Sequence, residues 1–466
     1  MTTTPLRPRR RDGLLAGWLA AAAVLAAGGL LCAGLRRPPP AGPFDPLVLP
    51  DAQRYDTQAR RFITPGAFTS DLEALHDSMR DPPGFACLLG GAYRLGASPA
   101  IVALGQVALL GAIVLLVGRV ATAAGASAAV ACGWLVLNVQ WLTLPSFVLT
   151  ETVFGVLVLL ALLAVIRWHR TASAPLGRQP PAALAWALSA GVLLAATAYV
   201  RAVALYLPII VAGVMLAART VPPRRRLTAA AIVLGVHVVL VGAWIARNAA
   251  MGGVVAFATT STDALLDYRA AKVVARVEGI DYYRDAKHVL RVRARQRAGA
   301  TANYPELLAA RRQVALDVLT AHPWQTLRMT LTGLAVNLAA PDPVKPGHLL
   351  GRPTPRGIFH SQASWRQRAR RILDSYGSLN LALIAWQMLY LLAFWAGVLV
   401  GLRRAWRSPH RLTGVLLALT AAYLLLLPAG AEAEPRFRAP AILVLAPLAA
   451  KGIRASAGRL LTKSKR

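Results

Sequence analysis

Apolar runs of about twenty residues recur along almost the whole chain, and no other feature limits its folding so severely. An α-helix of that length rises about 30 Å, the thickness of a bilayer's hydrocarbon core. In lipid every backbone N–H and C=O has to be satisfied within the chain, which leaves helices and closed barrels. The runs have the length of helices, not of tilted strands. Of the 466 residues 56% are hydrophobic and 15% charged, against about 45–50% and 25% in soluble domains. An ordinary soluble enzyme, a disordered chain and a secreted disulfide scaffold are excluded.

The charge balance is strongly basic: 52 Lys and Arg against 20 Asp and Glu, a net +32. In a soluble chain that excess points to nucleic acid. Here it is concentrated in short loops between apolar runs, the pattern of a membrane protein's cytoplasmic side, so nucleic acid is not an expected partner. Cys32, Cys87 and Cys132 are far apart and form no CxxC pair, so neither a disulfide framework nor a thiolate metal site is expected.

Spans are predicted near 14–35, 99–117, 127–144, 152–166, 182–200, 203–216, 227–246, 379–400, 412–427 and 439–450. The first exceeds the roughly 7–15-residue core of a signal peptide and reads as a retained span. Basic groups at Arg7/Arg9/Arg10/Arg11, Arg119, Arg167/Arg170/Arg178, Arg219/Arg224/Arg225/Arg226, Arg403/Arg404/Arg407/Arg411 and 463–466 fall on one side if about ten helices span and both termini are cytoplasmic. Segment 326–340 carries Arg328 and Asn337, would reverse the later loops if it spanned, and is read as interfacial or re-entrant. The expected fold is an all-α polytopic membrane protein with an extracytoplasmic helical cap. It divides into an N-terminal transmembrane module 1–246 with an outer loop at 36–98, an extracytoplasmic or interfacial segment 247–378, and C-terminal transmembrane helices 379–466.

Charges away from the cytoplasmic clusters need a reason, because they are costly beside lipid. In LPDAQRYDTQARRF, Asp51, Tyr55 and Ala59 recur at four-residue spacing on one helix face, with Asp51 at the capping end. Asp51 serves either as a general base for an acceptor hydroxyl or as a helix cap. Asp56 is a second carboxylate with the same two readings. The loop ends in RDPPGF, a rigid turn followed by an apolar helix, with Arg80 free to meet a lipid headgroup, Asp77 or Asp81. Glu151 opens the fourth span, Arg201 lies between spans five and six, and Arg247-Asn248 closes span seven. The last outer loop, AEAEPRFRAP, holds Glu432, Glu434, Arg436 and Arg438. Singly each arginine reads as an interfacial anchor; together with the acids they suit an anionic substrate, since guanidinium binds phosphate in bidentate fashion. His237, in GVHVVLVGAW, reads as a hydrogen-bonded interior histidine.

In this order, PDAQRYDTQA, RDPPGF with YRLGASP, LTET, YVRAVALYLP, WIARNAAMGGVVAFATTS, ALDVLTAHPWQTL and PRFRAPAILVLAPLAA resemble the C-type polytopic glycosyltransferases. The nearest likeness is to the bacterial branch related to protein O-mannosyltransferases and aminoarabinose transferases (glycosyltransferase family 39-like). That resemblance implies transfer of a hexosyl or pentosyl group, with inversion, from a polyprenyl-phosphate donor at the outer face of a bacterial inner membrane. The acceptor would be a lipid, a glycan or a protein. Asp51 matches the family's outer-loop base and Arg436 or Arg438 its phosphate-neutralising arginine. Tyr55, Arg80, Glu151, Arg201, Arg247 and Asn248 are the further candidate substrate contacts. A divalent metal shared by Asp51 and Glu151 stays open, although no ligand cluster is evident. The rival reading is a transporter or flippase of lipid-linked sugars, whose polar residues would gather near the bilayer midplane.

Overall fold

The structure, a computed structural model, describes residues 10–37, 42–64, 72–173, 181–351, 366, 367, 370 and 378–463. Basic residues 7 and 9, Arg178 and the terminal 464–466 lie outside these. Helices α1 (Arg10–Leu35), α2 (Pro50–Ile63), α3 (Leu72–Arg80), α4 (Pro83–Arg94) and α5 (Pro99–Ala123) are followed by α6 (Ala128–Val136), α7 (Val139–Thr143), α8 (Glu151–Ala172), α9 (Pro181–Val200), α10 (Leu207–Leu216) and α11 (Pro223–Gly252). The cap contributes α12 (Thr260–Asp263), a π-helix at Ala264–Ala270, α13 (Ala271–Val277), a second π-helix at Tyr282–Ala286, α14 (Lys287–Ala298), α15 (Tyr304–Ala321), α16 (Pro323–Ala339) and α17 (Val344–Leu349). Helices α18 (Ser378–Trp406), α19 (Arg411–Leu426) and α20 (Ala439–Lys463) complete the bundle, and no strand occurs among the described residues.

The chain is an all-α polytopic integral membrane protein. Among the described residues, α1, α5, α8, α9, α11 and α18 are long and apolar enough to cross a bilayer. The expected span at 127–144 is a bent pair: α6 and α7 meet at 67°. Asn138 makes the break, its side-chain oxygen accepting the Trp141 backbone N–H at 3.2 Å and so starting a new helix. The short runs at 203–216 and 412–427 also form helices, as does 439–450 within α20. All ten expected runs are therefore helical, but ten crossings require the bent and short ones to span. The 326–340 segment forms α16, which is not among the helices meeting the length and hydropathy of a crossing.

The two ends of the bundle differ chemically. At one, basic side chains donate to the carbonyls that helix ends leave unpaired: Arg170 to Ala123 O (3.2 Å), Arg225 to Ala172 O (3.0 Å) and Lys451 to Ala124 O (3.1 Å). At the other, about 30 Å away along α8, stand Glu151, Arg201 and the last loop with Glu432, Glu434 and Arg436. Glycines allow the tight packing of α18 on α20, where a Cβ on Gly401 would lie 1.9 Å from Leu448 O. Buried indoles and phenols tie helices to distant carbonyls, as Trp141 does with Ala439 O (3.1 Å) and Tyr390 with Trp134 O (2.9 Å). The cap has its own small core around Leu266, Val274, Leu290 and Val314. His237 meets Leu205 O at 3.0 Å, the interior hydrogen bond expected of it.

Candidate functional site

Helix α2 brings Asp51 to the site because α2 packs closely on α4. Ala52 and Ala59 are fully buried, and a Cβ at Gly90 would lie 2.9 Å from Ala59 O. Pro83 at the first turn of α4 follows the rigid Pro82, as the sequence predicts. Asp51 is not a cap. Leu49 occupies the cap position of α2 without a side-chain bond, and both Asp51 oxygens are held by guanidiniums. Oδ1 accepts from Arg54 Nη1 at 2.9 Å, one turn on; Oδ2 accepts from Arg436 Nη2 of the last loop. Arg54 also donates to the buried Asp81 at 2.7 Å, and Arg436 faces Glu434 at 2.8 Å.

A second pair lies alongside. Arg201 stands 2.8 Å from Glu151, whose side chain is 2% exposed and whose second oxygen has no hydrogen-bond partner. The Phe437 ring sits between cations, 5.7 Å from the Arg201 guanidinium and 5.2 Å from that of Arg436. A third group is deeper. Lys345 donates to Asp342 at 2.6 Å with both buried, Gln140 joins at 3.3 Å, and Gln387 pairs with the Asp342 backbone. Arg438, 2% exposed, donates to Ala340 O at 2.5 Å and lines a small cavity with Asn138, Gln140, Gln387 and Tyr390.

These pairings set the charge states. Burial pushes the Asp51 carboxyl up, but Arg436 and Arg54 outweigh it and hold it down at about 2. Burial works against the charge of Arg436, which Glu434, Asp51 and Glu151 more than restore. Burial dominates at Arg438 and lowers it to about 10, with Asp342 partly offsetting. The Tyr55 phenol is raised to about 12 by burial, its ring set edge-on to Phe85 at 5.2 Å.

Thus Asp51, Glu151, Arg201 and Arg436 come together, with Tyr55 beside them on α2. Arg438 belongs to the adjoining Asp342–Lys345 group. The other four candidates meet different partners. Arg80 pairs with Asp263 of the cap at 3.3 Å, not with Asp77 or Asp81, which are taken by Arg61 and Arg54. Arg247 donates to Ser78 (3.1 Å) and Asn248 (2.9 Å) and covers the Trp244 ring; Asn248 is fully buried and donates to Ala256 O (2.8 Å). Asp56 is held by Arg60 (2.9 Å) and Tyr93 (2.6 Å). The sequence reading missed Arg54, whose i+3 spacing from Asp51 was visible. It also missed Asp342 and Lys345, which only the fold joins to Gln140 and Gln387. Among the described residues no three His, Cys, Asp or Glu are grouped to hold a metal. The donor set does not suit one either, since guanidiniums rather than further carboxylates face Asp51 and Glu151.

No family model and no curated protein matches the chain. Similar solved structures include the archaeal oligosaccharyltransferase AglB from Archaeoglobus fulgidus in complex with an inhibitory peptide and a dolichol-phosphate. It is 13% identical with a TM-score of 0.49, over 96% of this chain and 51% of that one. The oligosaccharyltransferase of the same organism tethered to an acceptor peptide gives 13% and 0.48, over 96% and 50%. ArnT from Cupriavidus metallidurans bound to undecaprenyl phosphate gives 14% and 0.38, over 95% and 78%. The chain spans about half the length of the two oligosaccharyltransferase chains.

Proposed function

We infer that the protein is a membrane glycosyltransferase that moves a sugar from a polyprenyl-phosphate donor to a hydroxyl-bearing acceptor. The observation that carries this reading is the joining of Asp51 to Arg436, with Glu151–Arg201 alongside, where the apolar helices end. A lipid-linked phosphate needs apolar surface for its chain and cations for its head, and here the cations stand where the apolar helices end. The acceptor oxygen bonds to the anomeric carbon from the face opposite the phosphate. The carbon–oxygen bond to phosphate breaks with its electron pair on phosphate, and the hydroxyl proton passes to Asp51.

A carboxylate held at about 2 is a weak base. Phosphate competes for the same guanidiniums, and drawing Arg436 away leaves burial to raise Asp51. Donor binding thus readies the base. The groups that would serve phosphate are Arg436 and Arg201, with Arg438 adjoining. The donor sugar is a hexose or pentose, the acceptor a lipid, glycan or protein, and the setting the outer face of a bacterial inner membrane with both termini cytoplasmic.

The test uses the full chain in nanodiscs with a panel of undecaprenyl-phosphate hexoses and pentoses and a panel of lipid, oligosaccharide and peptide acceptors. Acceptor-dependent release of undecaprenyl phosphate supports transfer. Movement of intact donor between vesicle leaflets without release establishes the flippase reading in its place.

A further inference from the structure

The cap presents an aromatic group that the proposed chemistry does not use. Lys287 Nζ lies 4.7 Å from the ring centre of Tyr268, 4.8 Å from that of Tyr282 and 5.0 Å from that of Tyr283. A lysine gathered by three rings is a rigid device: the cation binds the electron-rich faces and fixes their mutual orientation. Two of the rings keep much of their surface open, Tyr268 at 41% and Tyr283 at 57% exposed. Tyr282 packs edge-on against Tyr283 at 4.7 Å.

The position of this group matters more than its existence. Tyr268 sits in the π-helix Ala264–Ala270, and its neighbours fix that turn from both sides. Asp267 takes two bonds from Arg291 (2.9 and 3.0 Å) and one from Arg311 (3.1 Å), while Arg269 grips Glu432 (2.6 Å) and Leu427 O (2.7 Å) of the last loop. One-turn π-helices often mark functional positions, because they turn one side chain out of the regular helical register. Tyr268 lies within electrostatic reach of Asp51 and Arg54, and Tyr283 within reach of Glu434. Arg269, the residue after Tyr268, thus ties this turn to the last loop, which also carries Glu434 and Arg436.

We propose that Tyr268 and Tyr283, braced by Lys287, form a carbohydrate-stacking platform that holds a pyranose ring against Asp51. A sugar offers a face of C–H bonds that packs on the electron-rich face of an aromatic ring, while its hydroxyls reach the bordering carboxylates. Glu434, 54% exposed and one bond from Arg436, is the acid placed for those hydroxyls. The ring belongs either to the donor's sugar or to a glycan acceptor. The platform rests on the transferase reading for its purpose, but sugar binding is measurable without any turnover.

The test compares wild type, Tyr268→Ala, Tyr283→Ala and Tyr268→Phe in nanodiscs. Saturation-transfer NMR is run with methyl glucoside, mannoside, galactoside and N-acetylglucosaminide as probes. At least one pyranoside is expected to receive saturation from wild type, with affinity reduced about tenfold by either alanine change and kept by Tyr268→Phe. In the transfer assay a raised KM for the lipid donor identifies the donor's sugar; a raised KM for a glycan acceptor identifies the acceptor. No pyranoside signal in wild type, or alanine variants with unchanged affinity, overturns the platform. Pyranoside binding that depends on the rings in a protein that transfers nothing keeps the platform and removes the transferase reading.

Discussion

Asp51 and Arg436 are 385 positions apart in sequence and share a hydrogen bond, which ties the first loop to the last at the site end of the bundle. Replacing Asp51 by Asn keeps its size and one acceptor oxygen but removes the charge that takes a proton. General base catalysis typically contributes about 10²–10⁴-fold. Asp51→Asn is expected to lose that factor in kcat while still binding undecaprenyl phosphate. Near-wild-type turnover would show that Asp51 is not the base.

The pH dependence follows from the same contact. Asp51 has its carboxyl lowered from 3.8 to about 2 in the folded chain. A depressed acid contributes stability that is present above its unfolded pKa and lost as pH falls through the folded one. Its contribution is therefore complete above about pH 5 and disappears toward pH 2. Arg436→Ala removes the strongest opposing charge and leaves burial in place, so the carboxyl rises. The acid limb of the kcat/KM profile, which reports the free enzyme, is expected to lie at higher pH in Arg436→Ala than in wild type. An unmoved limb would mean that Arg436 does not govern Asp51.

Lys345 and Asp342 are both buried and 2.6 Å apart, so removing one partner strands a charge. Lys345→Met is expected to destabilise by roughly 3–5 kcal/mol, read as thermal unfolding in detergent. Adding Asp342→Asn to it should recover much of that loss, since Asn keeps polar contact with Gln140 without a charge. A double variant no more stable than the single one would place the cost in packing.

Helix α16 meets the last loop at two glycines, where a Cβ on Gly333 would lie 2.4 Å from Gly430 O. Backbone cannot yield as a side chain does, so Gly333→Ala forces the loop away and shifts Arg436. A loss of about 1–3 kcal/mol in stability is expected, with donor KM rising and α2 otherwise intact. Unchanged stability and KM would show the loop to be free of α16.

How much of this was legible beforehand differs by level. Span-length apolar runs determined the membrane setting and the all-helical fold, because lipid admits no unsatisfied backbone. Charge asymmetry and the outer acids picked out Asp51, Glu151, Arg201 and Arg436 as candidates, since ionisable groups beside lipid are expensive and rarely idle. Periodicity does not report breaks, so the 67° bend at Asn138 within the expected span 127–144 was not visible in it. Pairing was also beyond it. Arg80 reaches Asp263 rather than its neighbours Asp77 and Asp81, Arg438 goes to Ala340 O, and Asp342 meets Gln140 across 202 positions. Sequence fixes which groups a chain carries and which side of a helix they line. Which cation neutralises which acid depends on the packing of distant helices, and only the tertiary structure decides it.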